Sequence, residues 1–111
     1  MRRNFDLFRG ETFSFSGQVR DGNGDGVDLT GAALTWRMAR PRCRLAEVEL
    51  TSVAGDITAD AQGNWTVTIP ASSTEDRWSG WFRHQGEYVL NGETKLFVEG
   101  ELKIREDINS A

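Results

Sequence analysis

The residues best placed to do chemistry lie in RDGNGDGVDLTG, residues 20–31. Asp21, Asn23, Asp25 and Gly26 spell D-x-N-x-D-G, the opening of a calcium-binding loop. In such a loop the first three supply oxygens at positions 1, 3 and 5, and the glycine makes the sharp turn. Position 12 should carry a bidentate Glu, but that position is Ala32. Asp28 offers another oxygen at position 8, which is not a standard ligand position. Side chains thus supply about four of the six to eight oxygens that calcium takes. The spacing predicts an adjustable turn, in which Asn-Gly and Asp-Gly provide positive φ. Asp21, Asn23, Asp25 and Asp28 remain the candidate set for a weak ion, and no resident metal or cofactor is expected.

Other reactive residues are sparse. His84 is the only histidine, in the strand-like run WFRHQ. No HExxH, P-loop or nucleophile element accompanies it, so no enzyme activity is expected. Cys43 is the only cysteine, which rules out an intrachain disulfide and a thiolate metal cluster. Arg42 and Arg44 flank it and favour the thiolate, yet a reduced bystander is the expectation. Arg37, Arg40, Arg42 and Arg44 crowd the run RMARPRCR, with Pro41 marking a loop. Four guanidinium groups suit a solvated hairpin tip or a docking patch for an acidic neighbour. The formal net charge of −4 and the absence of interleaved aromatics argue against nucleic acid as a partner.

The elements that must hold these residues have a period of two. Phe13, Phe15 and Val19 alternate with polar residues, as do Leu34, Trp36 and Met38. Val48 and Leu50, then Trp65, Val67 and Ile69, then Leu102 and Ile104 repeat the pattern. Such alternation means antiparallel strands with one dry face. Asn91-Gly92 between EYVL and ETKLFV is a hairpin signal. No helical stripe appears; at most one short helical turn is expected near 71–77, where Ser72 and Glu75 could form a capping box. The 111 residues suit one domain with two layers. We therefore expect an all-β chain, a single immunoglobulin-like antiparallel β-sandwich of about seven to eight strands, with a small barrel as the alternative. Residues 1–10 would be an N-terminal arm, 11–106 the sandwich and 107–111 a short tail. Apolar runs are too short to span a bilayer, and residues 1–11 lack the apolar core of a signal peptide. Phe5, Phe8, Trp78, Trp81 and Phe97 fall outside the obvious core pattern and join the arginines as candidate partner-interface residues.

The order of short motifs is similar to that of small phage virion proteins, in particular the N-terminal immunoglobulin-like domain of baseplate upper proteins. The matching residues are Arg9, Gly10, Glu11 and Thr12; Asp28 to Ala32; Ile69 and Pro70; and Gly100, Leu102 and Ile104. The likeness spans nearly the whole chain and rests on order and spacing. It implies a non-enzymatic structural subunit of a tail, baseplate, collar or capsid surface. Its partners would be other virion proteins and copies of itself, without nucleic acid, membrane or small-molecule ligand. It would be assembled in the host bacterial cytoplasm and located in the virion. The alternative is a carbohydrate- or host-surface-binding module that uses Trp78 and Trp81 as a stacking platform.

Overall fold

The computed structural model describes residues 1–43, 45–75 and 79–106. Within them the chain is almost entirely β, in the order β1 (Phe5–Phe8), β2 (Phe13–Gln18), β3 (Ala33–Ala39), β4 (Val48–Thr51), β5 (Ile57–Ala59), β6 (Asn64–Ile69), β7 (Gly80–Leu90) and β8 (Glu93–Arg105). Two sheets form a sandwich. The larger runs β1-β8-β7-β3-β4 and the smaller β2-β6-β5. This distribution of consecutive strands between two packed sheets is immunoglobulin-like.

Each alternating run buries its apolar set between the sheets. Trp36 and Met38 of β3, Trp65, Val67 and Ile69 of β6, Phe82 of β7 and Leu102 and Ile104 of β8 are all essentially inaccessible to solvent. Each such side chain contributes about 1.5–3 kcal/mol through burial, so these rows dominate the core. The outward residues of the small sheet are hydroxyls that pair across strands: Ser14 with Thr68 at 3.0 Å and Ser16 with Thr66 at 2.9 Å. The outward face of the large sheet is instead charged and aromatic.

Three expectations need correction. The first concerns residues 1–10, which are not a detached arm. Phe5–Phe8 is the edge strand of the large sheet, and it pairs with β8 in parallel, so the sandwich is not wholly antiparallel. Only strands joined by a hairpin are forced to be antiparallel; an edge strand whose chain crosses to the other sheet is free to run either way. Leu7 is buried, and Phe5 stacks on Phe13 of β2 with ring centroids 4.8 Å apart.

The second correction is the register of β8. Gly86 pairs with Val98 but Glu87 pairs with Leu96, so Phe97 is the extra residue of a β-bulge. The bulge turns both Phe97 and Val98 inward and leaves Leu96 exposed. Phe97 packs edge-on against Trp65 at 4.8 Å. It is therefore a core residue, unable to serve as part of a partner interface.

Third, the crossover after β6 holds a 3-10 turn at Ala71–Ser73, but Pro70 is its N-cap and no side chain caps it. The Ser72/Glu75 capping box does not form, because Pro70 fixes the entry and the turn is too short to leave several N–H groups unpaired.

The bulge makes a sharp demand on Gly86. A Cβ there would lie 2.5 Å from Cζ of Phe97. Gly86→Ala should lower stability in urea denaturation by about 1–3 kcal/mol, and Phe97→Ala by about 3–5 kcal/mol. Gly22→Ala, with nothing within 4 Å of the added carbon, should leave the midpoint nearly unchanged.

Candidate functional site

The acidic-glycine loop connects β2 to β3, and its Asp21 carboxylate is directed at the loop's own backbone. Asp21 Oδ1 accepts hydrogen bonds from the N–H groups of Asn23 at 2.9 Å and Asp25 at 3.1 Å. The Asp21 N–H donates to the Asp25 carbonyl at 2.8 Å, closing the turn. Gly24 has φ of 85°, the conformation that the Asn-Gly pair was expected to supply. Asp28 belongs to the next turn. Its Oδ1 accepts from the Thr30 N–H at 2.9 Å. Hydrogen bonds from Thr30 hold its carboxyl below the usual range. Asp60, in the neighbouring β5–β6 turn, is lowered in the same way by Asn64. Among the described residues no group of three or more His, Cys, Asp or Glu side chains is placed to hold a metal.

The arginine cluster is divided by strand geometry. Arg37 lies on β3 opposite Glu49 of β4, and the two form an ion pair at 2.7 Å. Arg40 pairs with Glu47 at 3.4 Å, and its guanidinium lies 5.5 Å from the Phe82 ring centroid. Arg42 sits at the loop tip with φ of 67°. The exposed Cys43 is beside it, and its carbonyl accepts a hydrogen bond from the Arg83 guanidinium. Arg44 lies outside the described residues. Two of the cluster's cations, Arg37 and Arg40, are thus matched by Glu49 of β4 and by Glu47 just before it. The glutamates three to five residues downstream of Arg44 were the sequence signal for this pairing.

His84 is buried, and both ring nitrogens are engaged. Trp36 Nε1–H donates to Nδ1 at 3.0 Å, and Nε2–H donates to the Arg3 carbonyl at 2.7 Å. The indole can only donate, so the ring is the neutral tautomer carrying its proton on Nε2. Burial lowers its pKa below the ordinary 6.5; the bond to Arg3 opposes this, and the charge of Arg2 lowers it further. This is an internal structural histidine that ties β3, β7 and the N-terminal segment together.

What remains exposed is the outward face of the large sheet. Trp81 is 54% accessible, and Phe8 is 45% accessible. Trp81 lies beside Lys103, whose ammonium is 5.6 Å from the ring centroid, and Lys103 lies beside Asp6. Phe8 lies beside Arg105 in the next row, and Arg105 pairs with Asp6 at 3.7 Å. Two aromatics therefore bracket Lys103 and Arg105 at one end of the sheet. Further along the face Arg83 is opposite Glu101, and Gln85 opposite Glu99. With Arg2 and Arg37 these line a groove of about 330 Å³. Of the candidate interface residues, Phe8, Trp81 and Arg37 share this face. Phe5 is turned inward against Phe13, Phe15 and His84. Trp78 lies outside the described residues. Lys103, Arg105 and Arg83 were missed; they occupy the polar phase of β7 and β8, and only the register shows that they adjoin the aromatics.

Two outcomes follow from these contacts. Millimolar calcium should leave the melting temperature unchanged, because the Asp21 carboxylate is committed to backbone donors; a rise of several degrees would show a bound ion. Stability should also depend on pH through His84. Above 6.5 both the folded and unfolded chains hold it neutral. Below that value the unfolded chain takes up a proton that the fold resists, so stability falls as pH drops toward the lowered folded value. This window lies above that of Asp28 and Asp60, whose contributions are present above 3.8 and are lost below it. Urea midpoints should fall between about pH 7 and pH 5, and a His84→Gln variant should lack that fall.

No protein-family profile matches the chain. No curated protein sequence matches it at a significant level either.

Proposed function

We propose that this chain is a non-enzymatic structural subunit of a phage particle, in a tail, baseplate, collar or capsid surface, acting through protein–protein assembly contacts. The observation that carries the contact mechanism is the outward face of the large sheet. Trp81 and Phe8 are exposed there on adjacent rows, with Lys103 and Arg105 between them. Large rings on a regular, rigid sheet lose little entropy on docking, and Trp and Arg are favoured at interface centres. The placing of this contact in a phage particle rests on the order of motifs in the sequence.

The motif residues occupy joints of the sandwich, and this supports the likeness at the level of fold. Arg9 to Thr12 carry the chain from the large sheet to the small one, between β1 and β2. Asp28 to Ala32 form the turn into β3, closed by Ala32 N–H to the Leu29 carbonyl at 3.0 Å. Ile69 and Pro70 end β6.

The carbohydrate reading makes a different use of the same tryptophan. A sugar ring stacks on an open indole face, and here Lys103 occupies one face of Trp81. That arrangement favours a protein contact over a glycan platform.

Particles produced from a genome lacking this gene, supplied with the chain in trans, provide the test. Trp81→Asp combined with Phe8→Ser should reduce incorporation at least about ten-fold, with little change in monomer melting, since both side chains are at the surface. Normal incorporation of the double variant would remove the face as the assembly contact. Saturable glycan binding that is lost in Trp81→Ala would establish the carbohydrate reading instead.

A further inference from the structure

The N-terminal segment is built into the sandwich in an unusual way. Arg3 N–H donates to the Glu99 carbonyl at 2.9 Å, and Glu99 N–H donates to the Met1 carbonyl at 3.0 Å. Asn4 Oδ1 accepts from Glu101 N–H at 3.0 Å. The Arg3 guanidinium reaches across to the Ser16 carbonyl on the small sheet at 2.8 Å. Gly100 makes room for this path, because a Cβ there would lie 1.9 Å from the Arg3 carbonyl oxygen. Beyond it, Leu7 and Phe5 fill the seam between the sheets. The segment is thus a plug seated in a groove, formed by β8, His84 and the rings of β2, that fits its backbone and its side chains.

Three features make the plug removable. It is an edge strand, paired on one side only, and just four residues long, which places it at the low-stability end of the structure. Its connection to β2 is a compact hinge, in which Gly10 has φ of 82° and its N–H donates to Thr74 Oγ1 at 3.0 Å. Its underside rests on a titratable ring. Adding a proton to Nδ1 of His84 sets two donors, that N–H and Trp36 Nε1–H, against each other. The aromatic neighbours Phe5, Phe15 and Trp36 supply no counter-charge. Of the charged groups around it, Arg2 of the plug disfavours the cation. Arg37 of β3, Arg83 of β7 and Glu99 and Glu101 of β8 line the outer groove that His84 also borders.

We propose that residues 1–8 form an exchangeable strand: protonation of His84 releases it from its own sandwich, and the vacated groove accepts the same segment of a second copy. The occupant follows from the fit, since this groove already matches FDLF in backbone direction, side-chain pockets and the Arg3 carbonyl position. A second copy's strand recovers the same contacts, so exchange costs little beyond the entropy of association. The inference draws on the assembly reading only for the supposition that copies meet.

Purified full-length chain tests it without any particle. At about pH 5, amide exchange over residues 1–8, corrected for its intrinsic rate, should be at least about ten-fold faster than at about pH 7.5. Concentration-dependent dimer should appear together with this change in light scattering. Unchanged protection, or a chain that stays monomeric at high concentration, would overturn the proposal. A Cys43→Ser chain with Asp6→Cys and Lys103→Cys, positions opposite each other on β1 and β8, locks the strand when oxidised. Oxidised protein should stay monomeric in acid and regain the dimer on reduction; an acid dimer in the locked form would overturn strand exchange. Trp81→Asp should leave the dimer intact. Its loss in that variant would move the contact to the outer sheet face and also overturn exchange, so the two interfaces are told apart.

Discussion

A short buried hydrogen-bond chain, Trp36 Nε1–H to His84 to the Arg3 carbonyl, holds together the parts on which this sandwich depends. It joins β3, β7 and the N-terminal segment in one interior point. In a dry core such a chain must be complete, because an orphaned donor or acceptor there costs as much as a lost core methyl group or more. His84 completes it only as the neutral ring with its proton on Nε2. The position of the first residues of the chain is therefore tied to the protonation state of a residue eighty positions later.

The surrounding core explains why the chain closes where it does. Phe15 lies edge-on to Trp65, to Trp36 and to His84, with centroids between 5.6 and 6.1 Å. It is the ring at which the small sheet meets the large one. Phe5 adds to the same cluster from the edge strand, so β1 contributes to both sheets at once. The bulge at Phe97 serves the other flank, where Trp65 packs over Gly17 and beside Phe97. Large rings fill the interior, and glycines at 17, 86 and 100 give way to them or to a passing backbone.

The two outer faces divide the surface by chemistry. The small sheet presents cross-strand hydroxyl pairs, which are self-satisfied and carry no charge. The large sheet presents paired and unpaired charges with exposed rings at one end. In the proposed reading, the second face meets neighbours in the particle and the first remains toward solvent. Glu49 and Glu47 balance Arg37 and Arg40, so these two arginines tune this face through exposed ion pairs.

Much of this was legible in the sequence wherever the determinant is local. The two-residue period marked β2, β3, β4, β6 and the end of β8. Asn91-Gly92 marked the β7–β8 hairpin, and both residues have positive φ. The spacing from Asp21 to Ala32 marked a turn rather than a complete calcium loop. Other features depend on contacts between distant residues, which no local pattern encodes. Phe97 read as out of phase with Leu96 and Val98 and so as an interface residue, yet the bulge opposite Gly86 decides that Phe97 and Val98 share the interior. FDLF was short enough to pass for an arm, and only β8 and the Phe13 and Phe15 rings make it a strand. His84 looked like a lone histidine, and its role comes from partners 48 and 81 residues away. By itself the sequence determined which residues alternate and where the chain turns, because these follow from backbone sterics and the pleat. The tertiary structure alone decided register, edge pairing and the neighbours of each buried polar group, because those are set by packing between segments far apart in the chain.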